Sequence, residues 1–334
     1  MKAVVLVGGF GTRLRPLTLT TPKQMLPVVD RPMLEHVIAG LGRHGVHEVT
    51  LSLGYKEDVF REAYPDATCA GVALRYAVEP EPLDTAGAVR FAAEAAGIAE
   101  TFIVVNGDVF TDLDVGAVWA RHHEVGAEGT IALTPVDDPS RYGVVPTDDA
   151  GRVLGFVEKP PPGEAPTNWI NAGTYVLEPS VLRRIVPGRR VSIERETFPS
   201  LVADGGLWAV RSDAYWVDAG TPLTYLQIQM DLLDGVRGEK VDGVATGASI
   251  AAGATVEHSV VMNGASVAAG AVVRNAVVSP GASVRADAVV EGSIVGPGAV
   301  VGERATVTGL SMIGERAIVD AGSVLVGARL PESD

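Results

Sequence analysis

Residues 3–27 read AVVLVGGFGTRLRPLTLTTPKQMLP: a short apolar run, a glycine cluster, then a long cationic loop. The run Ala3–Val7 reads as a buried β-strand. Glycine lets a backbone approach a ligand closely and adopt positive φ without strain. At the C-terminal end of a strand, that is where open α/β sheets bind their ligands. Arg13, Arg15 and Lys23 bring cations to the same place, so the expected guest is a polyphosphate. Two commoner glycine loops are excluded. A P-loop needs a lysine directly after its second spaced glycine, and none is present. A dinucleotide fingerprint opens straight into a helix, whereas Pro16, Pro22 and Pro27 would break one begun here.

The chain has 334 residues, 47% hydrophobic and 20% charged, which suits a globular protein of two domains. A net charge of −14 argues against nucleic acid or an anionic membrane as partner. A polyanionic substrate must then meet locally placed cations. Cys69 is the single cysteine, so no intrachain disulfide forms, which fits a reducing cytoplasm. The first apolar run is too short for a signal peptide, and no run is long enough for a membrane span. To about residue 234, strand patterns at Ala3–Val7, Val49–Leu53, Val72–Val78 and Phe102–Val105 alternate with helical ones at Met33–Leu41 and Ala86–Ala96, the latter capped by Thr85. This predicts an α/β, Rossmann-like domain over 1–235 with a mixed, mostly parallel sheet. Interrupted strands near Val144–Pro146, Val153–Val157 and Thr174–Leu177 predict an added antiparallel portion.

Near Gly235–Gly247 the composition turns to Ala, Gly, Val and Ser, and a repeat begins. Ile250, Val256, Val261, Val267, Val273, Val278, Val284, Val290, Val295, Val301, Val307, Ile313, Val319 and Leu325 follow at steps of six, with a five closing each early turn. Helices need steps of three and four; a hexapeptide period marks a parallel β-helix. Resemblance to hexapeptide-repeat proteins implies a left-handed coil of about four to five turns over 245–330.

The loop Gly8–Pro27 closely resembles the signature of the sugar-phosphate nucleotidyltransferases, and the likeness runs the whole chain. Within that family it most resembles the mannose-1-phosphate guanylyltransferases. The resemblance implies transfer of a nucleotidyl group, with GTP favoured, to a sugar 1-phosphate, with mannose 1-phosphate favoured. It places Leu6, Gly8, Gly9, Gly11, Thr12, Arg13, Lys23, Glu79, Thr85, Ala86 and Asp108 at the nucleotide. Gly143, Glu158, Lys159, Asn171, Gly173 and Thr174 fall at the sugar phosphate. Arg13 would hold the leaving pyrophosphate, Lys23 the triphosphate and Lys159 the incoming phosphate. Read alone, Asp108 in Asn106-Gly107-Asp108 is equally a turn acid, and Asp218 in WVDAGTP a turn acid ahead of a helix capped by Thr221. The resemblance makes both metal ligands, and hard oxygen donors beside phosphates point to Mg²⁺.

Glu79 lies where similar enzymes contact the base. A carboxylate accepts two hydrogen bonds, which matches the adjacent N1–H and N2–H₂ of guanine; the alternative is a solvated acid in a Pro-rich loop. Asn171-Ala172-Gly173 alone reads as a hairpin turn. Asp84 stands where relatives usually have glycine. The six histidines form no metal or triad pattern, so surface positions are expected for all. The alternatives are a thymidylyl- or uridylyltransferase acting on glucose 1-phosphate, an enzyme for a heptose or cyclitol phosphate, a non-catalytic sensing subunit, and an acyltransferase working from the coil. A homo-oligomer is expected, since solenoid surfaces often pack on copies of themselves.

Overall fold

The computed structural model describes residues 1–54, 56–238 and 240–332. It divides into two compact units that do not follow chain order. The first is Met1–Gly9 with Leu34–Trp216; the second is Phe10–Met33 with Val217–Asp334.

The first unit is built on a 10-stranded sheet. Its parallel heart runs Phe102–Asn106, Lys2–Leu6, Glu48–Leu53 and Val72–Val78. The first strand therefore has a later strand on each side, with Leu6 opposite both Ser52 and Asn106. The chain winds away in opposite senses there, which opens a crevice at the strands' C-terminal ends. An antiparallel extension follows. Trp169–Leu177 pairs with Phe102–Asn106 and with Gly129–Pro135, and Gly143–Val144 pairs with Val157–Glu158. Ala86, Val89, Ala92 and Ala93 of the helix Asp84–Ala95 are buried with Val4, Val104, Leu133, Tyr175 and Phe198. Alanines let that helix lie close to the sheet, and core packing rather than helix propensity holds it there.

Several expectations change in detail. The predicted strand Val153–Val157 is reduced to Val157–Glu158, with Val153 making a lone bridge to Thr147. The helix expected from Ala86 starts two residues earlier and has no side-chain cap, because the Thr85 hydroxyl is engaged elsewhere. Not all the histidines are at the surface. His122 is 1% exposed, bonded through Nδ1 to Thr130 and through Nε2 to Glu178. Burial lowers its pKa despite the opposing pull of Glu178, so the neutral ring is favoured.

In the second unit the repeat forms three 5-stranded parallel sheets, one for each face of a left-handed β-helix. The anchors stack in register: Ile250 on Val267, Val284, Val301 and Val319; Val256 on Val273, Val290, Val307 and Leu325; Val261 on Val278, Val295 and Ile313. Fully buried Ala271, Ala276, Ala282, Ala288, Ala299 and Ala305 fill the narrow interior between them. Each inward valine contributes about 1.5–3 kcal/mol by leaving water. The same unit holds the helix Pro222–Asp234, which Thr221 caps as expected, with Thr221 and Thr224 bonded reciprocally. Among the described residues no helix is long and apolar enough to cross a membrane.

Candidate active site

In the first unit the candidate residues collect where the parallel strands end. Val7 N–H still donates to Ser52 O at 3.0 Å, after which Gly8 and Gly9 leave the sheet. Gly54 and Gly8 approach so closely that a Cβ on Gly54 would stand 3.2 Å from Gly8 O. Around Gly9 a Cβ would meet nothing, so the backbone there is open to a ligand. A Cβ on Gly8 would lie 3.7 Å from Glu79 Oε1, which places that carboxylate beside the glycine loop.

Glu79 is not a solvated loop acid. It is 8% exposed; Oε1 accepts from Ser52 Oγ at 3.0 Å and Oε2 from Leu83 N at 3.0 Å. From Leu83 the chain enters the helix through Asp84, at φ +60. That left-handed backbone favours glycine and is tolerated best by Asp and Asn, which accounts for the departure at this position. Asp84 Oδ1 then accepts from Thr85 N at 2.8 Å. Thr85 Oγ1 donates to Glu194 and accepts from Ile193 N, and Ala86 N donates to Val191 O. Thr85 and Ala86 thus tie this helix to Val191–Glu194.

Asp108 is half-buried in the turn after Phe102–Asn106. Gly107 N donates to Leu6 O at 2.9 Å, and a Cβ on Gly107 would strike Val7 Cγ1 at 2.8 Å, so the turn is pressed onto the end of the first strand. Gly173 packs on the same turn, its Cβ position 2.7 Å from Asn106 Nδ2. Asn171-Ala172-Gly173 is no hairpin. It lies inside the strand Trp169–Leu177, where pairing with Gly129–Pro135 shifts register between Asn171 and Tyr175. Such a bulge re-aims side chains beside sites. Asn171 Oδ1 accepts from Gly173 N, its Nδ2 donates to the Tyr175 hydroxyl, and Trp216 Nε1 donates to Ala172 O. Burial raises the Tyr175 phenol well above its ordinary pKa, so it stays a neutral hydroxyl. Thr174 is buried opposite Val105.

Gly143 and Glu158 are paired across the antiparallel extension. A Cβ on Gly143 would overlap the Phe156 ring at 2.5 Å and stand 3.2 Å from Glu158 Oε2. Lys159 follows at φ +49, its Nζ 3.1 Å from Glu158 Oε1 and its side chain 61% exposed. The Gly173 site gives a prediction. At φ +73, facing Asn106 at 2.7 Å, Gly173→Ala is expected to cost about 1–3 kcal/mol and to shift the turn that carries Asp108. A lower denaturation midpoint together with a turnover loss beyond the unfolded fraction is the expected result. An unchanged midpoint contradicts it.

The second unit carries the rest. Gly11, at φ +60, precedes the short turn Thr12–Leu14, and a Cβ there would lie 3.1 Å from Cβ of the buried Lys23. Thr12 and Arg13 are exposed. The Arg13 guanidinium and Asp218 both border Gly220: a Cβ on Gly220 would run into Arg13 Nη2 and stand 2.8 Å from Asp218 Oδ1. Asp218 ends the strand Trp216–Asp218 and is half-buried. Asp108 in the first unit and Asp218 in the second each offer a carboxylate, the donor type that hard divalent ions prefer. His122, His123 and Glu178 form another potential metal group, but both His122 nitrogens already have partners. Ser52, Gly54, Asn106 and Trp216 support the site and were not singled out from sequence. Only Gly54, just past a predicted strand, carried a local signal.

In the first unit, a parallel sheet that opens at its strand ends onto a glycine loop, with carboxylates beside it, has the arrangement of a ligand-binding α/β enzyme. Residues 2–235 match the family described as Nucleotidyl transferase and residues 241–331 match the GMPPB C-terminal domain. The chain belongs to the nucleotidyl transferase family and is a nucleotidyltransferase. It is 41% identical over 265 residues to "Mannose-1-phosphate guanylyltransferase" of Mycobacterium tuberculosis, covering 75% of this chain and 72% of the relative. It is 38% identical to "Mannose-1-phosphate guanylyltransferase catalytic subunit beta" of Dictyostelium discoideum, covering 78% and 73%. Among solved structures it is similar to HddC from Yersinia pseudotuberculosis complexed with GMP-PN. The TM-score is 0.59 at 31% identity, over 68% of this chain and 97% of the other.

Proposed function

We propose that the protein transfers a guanylyl group from GTP to mannose 1-phosphate, giving GDP-mannose and pyrophosphate. The observation that carries this reading is the joint presence of Arg13, Lys23, Asp108, Lys159 and Asp218 in a chain about 40% identical to named mannose-1-phosphate guanylyltransferases. The guanine-type ligand of the HddC crystal supports the base assignment. Residues 1–235 would supply the catalytic machinery.

An oxygen of the sugar phosphate attacks the α-phosphorus, the bond to the bridging oxygen of the β-phosphate breaks, and pyrophosphate leaves. A phosphate monoester's second pKa is about 6, so the nucleophile is already ionised and needs no general base. The obstacle is repulsion between two polyanions, so catalysis is positioning and charge neutralisation. Arg13 neutralises the leaving pyrophosphate, Lys23 steadies the triphosphate and Lys159 draws in the sugar phosphate. Gly143, Glu158, Asn171, Gly173 and Thr174 line the sugar. Asp108 and Asp218 would hold Mg²⁺, which when bound would supply positive charge that offsets the charge of the phosphates.

Cys69 is the single cysteine, so no intrachain disulfide can form, which suits a cytoplasmic setting. Exposed Ile318, Val324 and Val326 near the end of the coil support self-association. The deciding experiment is a matrix of GTP, ATP, UTP and dTTP against mannose, glucose and heptose 1-phosphates, read by pyrophosphate release. The highest kcat/KM is expected for GTP with mannose 1-phosphate. No release with any pair would return the chain to a sensing role, and a pyrimidine preference would remove the guanylyl assignment.

A further inference from the structure

The signature loop and the hexapeptide coil belong to one compact unit, and the contacts between them bear on Arg13. The loop runs through three short 3-10 turns, Thr12–Leu14, Leu17–Leu19 and Lys23–Met25. Single turns leave their last carbonyls without intra-turn partners and do not hold their shape unaided. Here Arg13 O and Arg15 O both accept from Nη1 of Arg329, at 3.1 and 2.6 Å. Arg329 lies on the strand Arg329–Leu330, in register beside Met312–Ile313. Leu14 N and Arg15 N close the turn on Gly11 O and Thr12 O, and one guanidinium nitrogen then ties together the two carbonyls that flank the fully buried Leu14.

Other loop atoms also lie against the coil. Gly296 and Gly314 follow the rungs Val295 and Ile313, one coil apart, whereas the same place in earlier coils holds Met262 and Ser279. A Cβ on Gly296 would meet Ile313 O of the next coil at 2.6 Å and Leu17 Cδ2 of the loop at 2.9 Å, and one on Gly314 would meet Pro16 Cβ at 3.0 Å and Leu330 O at 3.1 Å. Thr20 Oγ1 donates to Glu315 Oε2 at 2.5 Å beside them.

We propose that Arg329 is a positioning residue for Arg13, and that the hexapeptide coil braces the phosphate-binding loop. This rests on the reading of Arg13 given above. The Arg13 stem is long and its head is exposed, so where the guanidinium can reach is set by its backbone. Fixing the carbonyls of residues 13 and 15 fixes that starting point and keeps the guanidinium at Gly220. An exposed arginine that merely satisfied the ends of a turn would affect stability alone. A brace affects the step that Arg13 serves.

The test uses the full-length protein with Arg329→Gln, Arg329→Lys, Arg13→Ala and the Arg13→Ala/Arg329→Gln pair. Arg329→Gln is expected to lower kcat/KM for GTP about tenfold while the KM for mannose 1-phosphate stays within about twofold. Arg329→Lys, whose ammonium can donate to both carbonyls, is expected to restore most of the loss. In the Arg13→Ala background the Gln substitution is expected to cost nothing further, because its effect passes through the missing side chain. Hydrogen–deuterium exchange of the amides in residues 11–20 is expected to quicken in Arg329→Gln. Unchanged kinetics and exchange in a folded Arg329→Gln protein would overturn the proposal, as would the same tenfold loss without Arg13. If the wild-type chain turns over no nucleotide, the role of Arg13 falls with the functional reading. The exchange measurement then decides on its own whether Arg329 braces the loop.

Discussion

Replacing Asp108 or Asp218 with asparagine is expected to lower kcat by about a hundred- to ten-thousandfold. Asparagine has nearly the same shape, so the turn after Phe102–Asn106 and the end of Trp216–Asp218 keep their backbones. The lost charge is what matters. Two polyanions must be brought together, and metal stabilisation of their charge supplies several kcal/mol, each 1.36 kcal/mol being a factor of ten. An asparagine oxygen is a weak partner for a hard divalent ion. Stability is expected to change by less than about 1 kcal/mol, since neither substitution opens a cavity or strains the chain. The measurements are kcat at saturating Mg²⁺ and the urea midpoint of each variant. Turnover like that of the wild type in either protein would remove that aspartate from the metal site.

How far sequence led differs from one part of the chain to another. The coil was readable to the residue, because stacking repeats one environment and forces one residue type into it at a fixed step. The parallel strands were readable for a related reason: buried on both faces, they are continuous apolar runs. Asn171-Ala172-Gly173 misled, since a bulge and a hairpin both call for glycine at positive φ beside a residue that bonds its own backbone. Thr85 misled as well. A threonine before an apolar run has the pattern of a cap, yet its hydroxyl is held by Glu194 and Ile193, which lie more than a hundred residues away. The proposed roles of the chemistry-bearing residues rest on family likeness more than on pattern, as Lys159 shows: a lone lysine after a two-residue strand carries no local signal. Arg329 was beyond reach. Its significance depends on the coil returning the end of the chain to a loop 314 residues earlier.

Glu79→Gln is expected to shrink the preference for GTP over dTTP by about ten- to a hundredfold. The geometry around Glu79 says which of its atoms would change. Oε2 accepts from the Leu83 amide, a group that can only donate, so a glutamine must turn its carbonyl oxygen that way. Its NH₂ then takes the place of Oε1, beside Gly8 and facing Ser52. Ser52 can accommodate the exchange, since its hydroxyl can donate to Ala88 O, 3.4 Å away, and accept from the new NH₂. The fold therefore survives, but the atom next to the glycine loop changes from acceptor to donor. A guanine N–H aimed at it loses its partner and meets another donor, at a cost of roughly 1–3 kcal/mol. A thymine carbonyl gains a partner. The check is kcat/KM for GTP and dTTP in the wild-type, Glu79→Gln and Ser52→Ala proteins, with Ser52→Ala controlling for the loss of packing around the carboxylate. A ratio that moves only in Glu79→Gln assigns base reading to Oε1. A ratio unchanged in both leaves Glu79 as the acceptor that fixes Leu83 and the start of the helix Asp84–Ala95, and the base must then be read by backbone groups of the glycine loop.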